Sequence, residues 1–312
     1  MRVTIIGAGA VGGLLGGLLA RAGHAVSFVA HGESLAALRS HGIDVITASD
    51  GFSTGPLPAS PSPSGLGVSD LVVVAVKSWQ VEALAPSLAA LLGAGTMVVP
   101  VQNGVEAADQ LASALGQEAV VGGLCHVLAT REAPGRVRTL GPPLSLTLGE
   151  RAGDTSDRLD RLAKVLREAG ITVTLSTSMY VALWTKLLFV EPFGSVGAVT
   201  RSSADVVRSI PETRTMLEQA MREVQAVAVG RGVPVSDDAI TQSLARVDTL
   251  PVGATASMHR DLVEGRPSEL HEQTGAVVRL GRQAGVPRPV HDFLLASLLP
   301  QDRRSRAAPP TR

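Results

Sequence analysis

The chain has 312 residues, enough for two domains of about 150 residues each. Lys plus Arg and Asp plus Glu are 28 apiece, so the formal net charge is zero, and aromatic residues make up only 3%. That combination argues against a nucleic-acid binder, which needs a basic face and stacking rings. The single cysteine, Cys125, rules out an internal disulfide and a cysteine metal cage, and fits a reducing, cytoplasmic setting.

Val3 to Ile6 is continuously apolar and β-branched, as expected of a strand buried on both faces. A glycine-rich turn, a helix (Leu14 to Ala22) and a second apolar strand (Ala25 to Ala30) follow. The stretch 2–20 is apolar but holds six glycines and is followed by no cleavage-like spacer, so it reads as strand, turn and helix rather than signal peptide or membrane span. Next come a helix (Ser34 to His41), a Gly/Pro/Ser-rich stretch (Gly51 to Gly67), a buried strand (Asp70 to Val76) and a helix (Val81 to Leu92). A strand (Thr96 to Val101) then runs into Gln102-Asn103-Gly104. Strands alternating with helices predict a parallel sheet with right-handed crossovers. Extended strands with turns are expected over 126–148, then a helix (Asp157 to Ala169) and a strand (Thr172 to Leu175). From Met179 the chain reads as helical, over 179–190, 211–231, 236–246, 257–264, 268–284 and 289–298. The expected organisation is an α/β domain over 1–175, an all-α domain over 176–300, and a disordered tail over 301–312 with four arginines.

Gly7-Ala8-Gly9-Ala10-Val11-Gly12 fits G-x-G-x-x-G between a buried strand and a helix. Gly7 permits the tight turn, Gly9 the approach of a pyrophosphate, and Gly12 close packing of helix on strand, while amides at the helix start hold the phosphates. This predicts a Rossmann dinucleotide-binding domain. The second strand ends in Ala30-His31-Gly32, with no carboxylate before Glu33 to take the ribose hydroxyls of NAD. That favours NADP(H), with His31 and Ser34 as phosphate partners.

Lys77 and Asn103 both fall at carboxyl ends of strands, where open α/β sheets bind ligands. Lys186 is surrounded at every helical spacing by apolar residues, so it either snorkels outward or serves as a proton donor of lowered pKa. Pro192 is expected to end or kink its helix. Ser257 and Asp261 share a helix face. Glu269 alone reads as a surface carboxylate. His259 and His271 have no third ligand at metal spacing, so no metal is expected. The apolar helices 211–231 and 289–298 suit either a dimer interface or the domain's own core.

Taken together, GAGAVG (7–12), AVKSWQ (75–80), VQNGVE (101–106), WTKLLF (184–189), SMHRDL (257–262) and EGRPSEL (264–270) resemble the ketopantoate reductase (2-dehydropantoate 2-reductase) family, from Met1 to about Leu299. The resemblance implies a Rossmann domain joined to a helical domain, and NADPH-dependent reduction of a small 2-oxo acid. It implies that Lys186 is the general acid and Glu269 its assistant, that Asn103 and Ser257 hold substrate, and that Lys77 lies near cofactor and substrate. Three departures stand out. The asparagines that relatives carry four and eight residues after the lysine are Val190 and Gly194. The arginine that grips the 2′-phosphate is His31. Glu269-Leu270-His271 and Thr274-Gly275 replace Glu-(Ile/Leu)-Asp and Asn-Gly. These changes leave open a less polar keto substrate, and also a non-redox cyclase or binding protein on the same fold.

Overall fold

The computed structural model describes residues 1–47 and 50–307, and these fall into two units: one runs to Gln102 and resumes over Glu106–Met179, and the other holds Asn103–Val105 and the described residues from Tyr180 onward. In chain order the first carries β1 (Arg2–Ile6), α1 (Ala10–Arg21), β2 (Ala25–Val29), α2 (Gly32–Ser40), β3 (Asp44–Ile46), β4 (Gly51–Ser53), β5 (Ala59–Ser60), β6 (Leu71–Val74), α3 (Val81–Leu84), β7 (Met97–Pro100), α4 (Ala107–Leu115), β8 (Gly122–His126), β9 (Ala129–Ala133), β10 (Arg136–Thr139), β11 (Ser145–Gly149), α5 (Asp157–Glu168) and β12 (Thr172–Leu175).

Five of these strands form an all-parallel sheet in the order β5-β2-β1-β6-β7, with Val3 opposite Val26 on one side and Leu71 on the other. This is the Rossmann arrangement that the sequence predicts, with the strand order reversing at β1. Leu71–Val74 are all buried, as the unbroken apolar run requires of a strand covered on both faces. Two smaller sheets follow: β4-β3-β10-β9, and β12-β11-β8. α5 shows how local sequence sets an element. Ser156 Oγ accepts the Leu159 amide at 3.3 Å, and Leu159, Leu162, Ala163 and Leu166 present one apolar stripe to the core.

The second unit is helical: α6 (Met179–Thr200), α7 (Ala204–Ser209), α8 (Pro211–Gly230), α9 (Asp237–Thr249), α10 (Ser257–Val263), α11 (Thr274–Gln283) and α12 (Pro289–Ala307). No helix among the described residues is long and apolar enough to cross a membrane.

Four local expectations are corrected. The helix expected over 81–92 is α only to Leu84 and then 3₁₀ over Ala85–Leu91, because Pro86 has no amide to continue the α pattern. α6 does not stop at Pro192 but runs on to Thr200, since Phe193, Val196 and Ala198 beyond it are buried and hold the helix in place. The helix expected from 268 begins at Thr274. Ser268 instead spends its amide and hydroxyl on Asp302 and accepts the Leu270 amide, which competes with helical bonding. The segment expected to be a tail from Gln301 is helical to Ala307. Asp302, fully buried, accepts from Ser268 and Arg306, and Arg306 donates to the Ser268 carbonyl at 2.6 Å. Residues 308–312 lie outside the described residues.

Candidate active site

In the first unit, β1 delivers the chain into a turn that only glycine fits. Gly7 has φ +102°, and a Cβ on Gly12 would stand 2.0 Å from the Gly7 carbonyl oxygen. A Cβ on Gly9 would meet nothing within 4 Å, so that side is open to a ligand. Gly9 caps α1 without a side-chain hydrogen bond, so the amides of Ala10, Val11 and Gly12 are the donors that helix geometry leaves without intrahelical partners. Ala8 and Ala10 are half-buried along the loop. A cradle of forward-facing amides at a positive helix end fits a pyrophosphate.

The carboxyl edge of the same sheet holds the next candidates. His31 is exposed and caps α2 through its backbone only. Lys77 is exposed beyond β6, its Nζ 5.7 Å from the centre of the Trp79 ring. Its turn is fixed by Gln102, which motif reading left without a role. Gln102 Nε2 donates to the carbonyls of Val74 at 2.8 Å and Val76 at 2.9 Å, and its Oε1 is buried without a hydrogen-bond partner.

In the second unit the chain brings Asn103 to Glu269, 166 residues apart. Asn103 Nδ2 donates to Glu269 Oε2 at 3.5 Å, and Gln273 Nε2 donates to the same oxygen at 3.2 Å. Glu269 is only 6% exposed, so it is not the surface carboxylate that it resembles when taken alone. Gln273 was not singled out in the sequence, although its place one helical turn past Glu269 is the signal that could have found it.

α6 carries Lys186 half-buried, with Val190 half-buried four residues on and Gly194 buried eight residues on. Gly194 is occupied in a way composition does not reveal. A Cβ there would meet Met258 Cε at 3.1 Å and Ala256 Cβ at 3.4 Å, so the glycine lets α6 approach the start of α10. Its α-carbon is therefore packed against protein rather than open to substrate. Ser257, between those two contacts, is exposed as the first residue of α10. Asp261 pairs with Arg266 at 3.0 Å.

Five residues past Lys186, α6 contributes Glu191 to a buried network absent from the sequence reading. Glu191 and His291 are both fully buried. Glu191 accepts from Thr274 Oγ1 and from the His291 ring, each at 2.7 Å, and the other ring nitrogen of His291 meets Glu223 at 2.7 Å. Burial alone would lower the His291 pKa, but the two flanking carboxylates override it and raise it to about 9. Burial pushes Glu223 upward, yet hydrogen bonds from the ring and from the amides of Val290 and His291 hold it below the usual carboxylate range. The bridge therefore ties α6, α8, α11 and α12 together through one shared proton-bearing ring. Among the described residues, no group of three His, Cys, Asp or Glu side chains is placed to hold a metal.

Comparison with known proteins places this geometry. Residues 3–153 match the family described as "Ketopantoate reductase PanE/ApbA", and residues 178–300 match its C-terminal counterpart. The 2-dehydropantoate 2-reductase of Mesorhizobium japonicum is 30% identical, covering 95% of this chain and 96% of its own length. A PanE/ApbA family ketopantoate reductase from Ralstonia eutropha superposes with a TM-score of 0.89 at 31% identity, covering 98% of this chain and 100% of that one. A D-mandelate dehydrogenase solved with NADH and anilino(oxo)acetate shares the fold at TM-score 0.89 and 22% identity, covering 98% of this chain and 100% of its own.

Proposed function

Because this chain belongs to the ketopantoate reductase family of oxidoreductases, we propose that it reduces a small 2-oxo acid to the 2-hydroxy acid with NADPH, and that 2-dehydropantoate is that acid. The observation that carries the reading is the buried Glu269 carboxylate, held by the Asn103 and Gln273 amides in the unit that also carries Lys186. When bound, the nicotinamide cofactor supplies hydride; the protein has to supply a proton and a pose. The glycine turn with its amides at Ala10–Gly12, together with His31 and Lys77, holds the cofactor.

Lys186 donates the proton to the substrate's carbonyl oxygen, and its charge stabilises the negative charge developing there. Glu269 orients a substrate hydroxyl or the lysine itself. Its own orientation comes from the two amides, which both donate to Oε2. Asn103 and Ser257 bind substrate. Residues 1–175 form the cofactor domain and 176–300 the substrate domain. The protein works in the cytoplasm, and α8 and α12 offer a surface for a homodimer.

Val190 supports a second reading. A half-exposed valine four residues after the lysine offers no hydrogen bond where relatives place asparagine, and a pocket lacking a polar partner discriminates against a hydroxylated acid. A less polar 2-oxo acid fits that surface. The test is NADPH oxidation, followed by near-ultraviolet absorbance, across a panel of 2-oxo acids. A kcat/KM highest for 2-dehydropantoate supports the first reading. A higher value for an aryl or branched alkyl 2-oxo acid transfers the assignment to the second. No oxidation with any of them defeats both.

A further inference from the structure

The carboxyl end of the second strand is where a dinucleotide fold tests the adenosine ribose, with a carboxylate for the free hydroxyls or an arginine for a 2′-phosphate. Here β2 runs through Ala30 into His31, and neither residue type is present. A cation from another sheet reaches this corner. α1, the helix opened by the glycine turn, packs against β9 and β10. Val137 of β10 lies against α1 at Gly13, where an added Cβ would stand 2.8 Å from Val137 Cγ2. Arg131 of β9 is the cross-strand partner of Val137, so it starts from beside the first turn of that helix. From there its Nη1 donates to Ser34 Oγ, in the first turn of α2, at 3.1 Å across 97 residues of sequence. The other arginines of this sheet, Arg136 and Arg138, are paired with Glu132. Arg131 is ion-paired with no carboxylate among the described residues, and the serine hydroxyl is the partner it reaches.

We infer that Arg131, with Ser34 and His31, is the corner that recognises a phosphomonoester on the 2′-oxygen of the cofactor ribose, taking over the task of the arginine that relatives place after β2. The inference rests on the NADPH reading above. The chemistry suits the group. A guanidinium stays charged at any working pH and presents two parallel N–H donors to phosphate oxygens. Ser34 accepts from Arg131 and keeps its own O–H to donate to the same phosphate. With no carboxylate ion-paired to it among the described residues, the guanidinium has no ion pair to break before it takes the ligand.

The test titrates NADPH, NADH, 2′,5′-ADP and 5′-AMP against the wild type, Arg131→Ala, Arg131→Lys and His31→Ala, with thermal melting to confirm that each is folded. The wild type is expected to bind NADPH more tightly than NADH. Arg131→Ala is expected to lose about 10- to 100-fold in affinity for NADPH and 2′,5′-ADP, the loss expected for a charge-assisted hydrogen bond. NADH and 5′-AMP should hold steady. Arg131→Lys should fall between, and the salt dependence of NADPH binding should flatten in Arg131→Ala. Arg131→Ala with unchanged NADPH affinity overturns the inference, as does a loss carried by His31→Ala alone. A wild type that binds NADH as tightly as NADPH overturns the cofactor reading as well. The wild-type ratio therefore separates the two failures.

Discussion

Glu269 Oε2 accepts from both Asn103 and Gln273, and a carboxyl group this deeply buried is tolerated only with such donors. Glu269→Gln keeps the shape and removes the charge, so turnover should drop while the melting temperature changes little; kcat and thermal unfolding measured side by side check this. Lys186→Ala should lower kcat by about 10²-fold or more, as for loss of a general acid, with NADPH titration unchanged. Undiminished turnover would make Lys186 structural. Gly194→Asn, which restores the residue type of relatives, should destabilise the protein by roughly 1–3 kcal/mol, because Met258 occupies the space a side chain needs. Urea unfolding reads that directly. At this scale motif reading singled out Lys186, Glu269 and Asn103, and the last two meet at 3.5 Å. It read Gly194 as an apolar lining residue because composition shows what a residue lacks and not what fills the gap. Arg131 was beyond its reach, since only the folding of β9 beside α1 brings it to Ser34.

At the level of elements, α6 is held from behind by the Glu191–His291–Glu223 bridge, five residues past Lys186. The His291 pKa is raised from 6.5 to about 9 on folding. A group bound more tightly to its proton in the folded state contributes stability that is fully present below pH 6.5 and is lost as the pH rises through 9. Melting temperature should therefore decline between those limits in the wild type, and His291→Gln should flatten the slope. His291→Ala, which leaves two carboxylates buried around a gap, should cost about 3–5 kcal/mol. Most of the helices and the parallel strands were legible from periodicity, since a 3.6-residue stripe or an unbroken β-branched run dictates its own burial. The places where reading failed were those where a tertiary partner outbid local preference: Pro192 inside α6, and Ser268 turned aside by Asp302.

Over the whole molecule, the chain lends Asn103–Val105 to the second unit and then returns to complete the first. A sequence read in order places Asn103 with the strand that precedes it, and nothing in its composition shows that it serves a carboxylate 166 residues on. The charge balance, by contrast, is fully legible. With 28 basic and 28 acidic residues the protein has no net repulsion between copies near neutrality. Solubility should pass through a minimum near pH 7 and rise on either side, which precipitation by polyethylene glycol across a pH series measures.

The Ser268–Asp302 contact joins the last helix to the residue before Glu269. The carboxyl terminus is therefore an unsuitable place to cut or to attach. An exopeptidase that trims past Arg306, or a bulky C-terminal fusion that unwinds the final turn, should lower turnover without touching the nucleotide end of the chain.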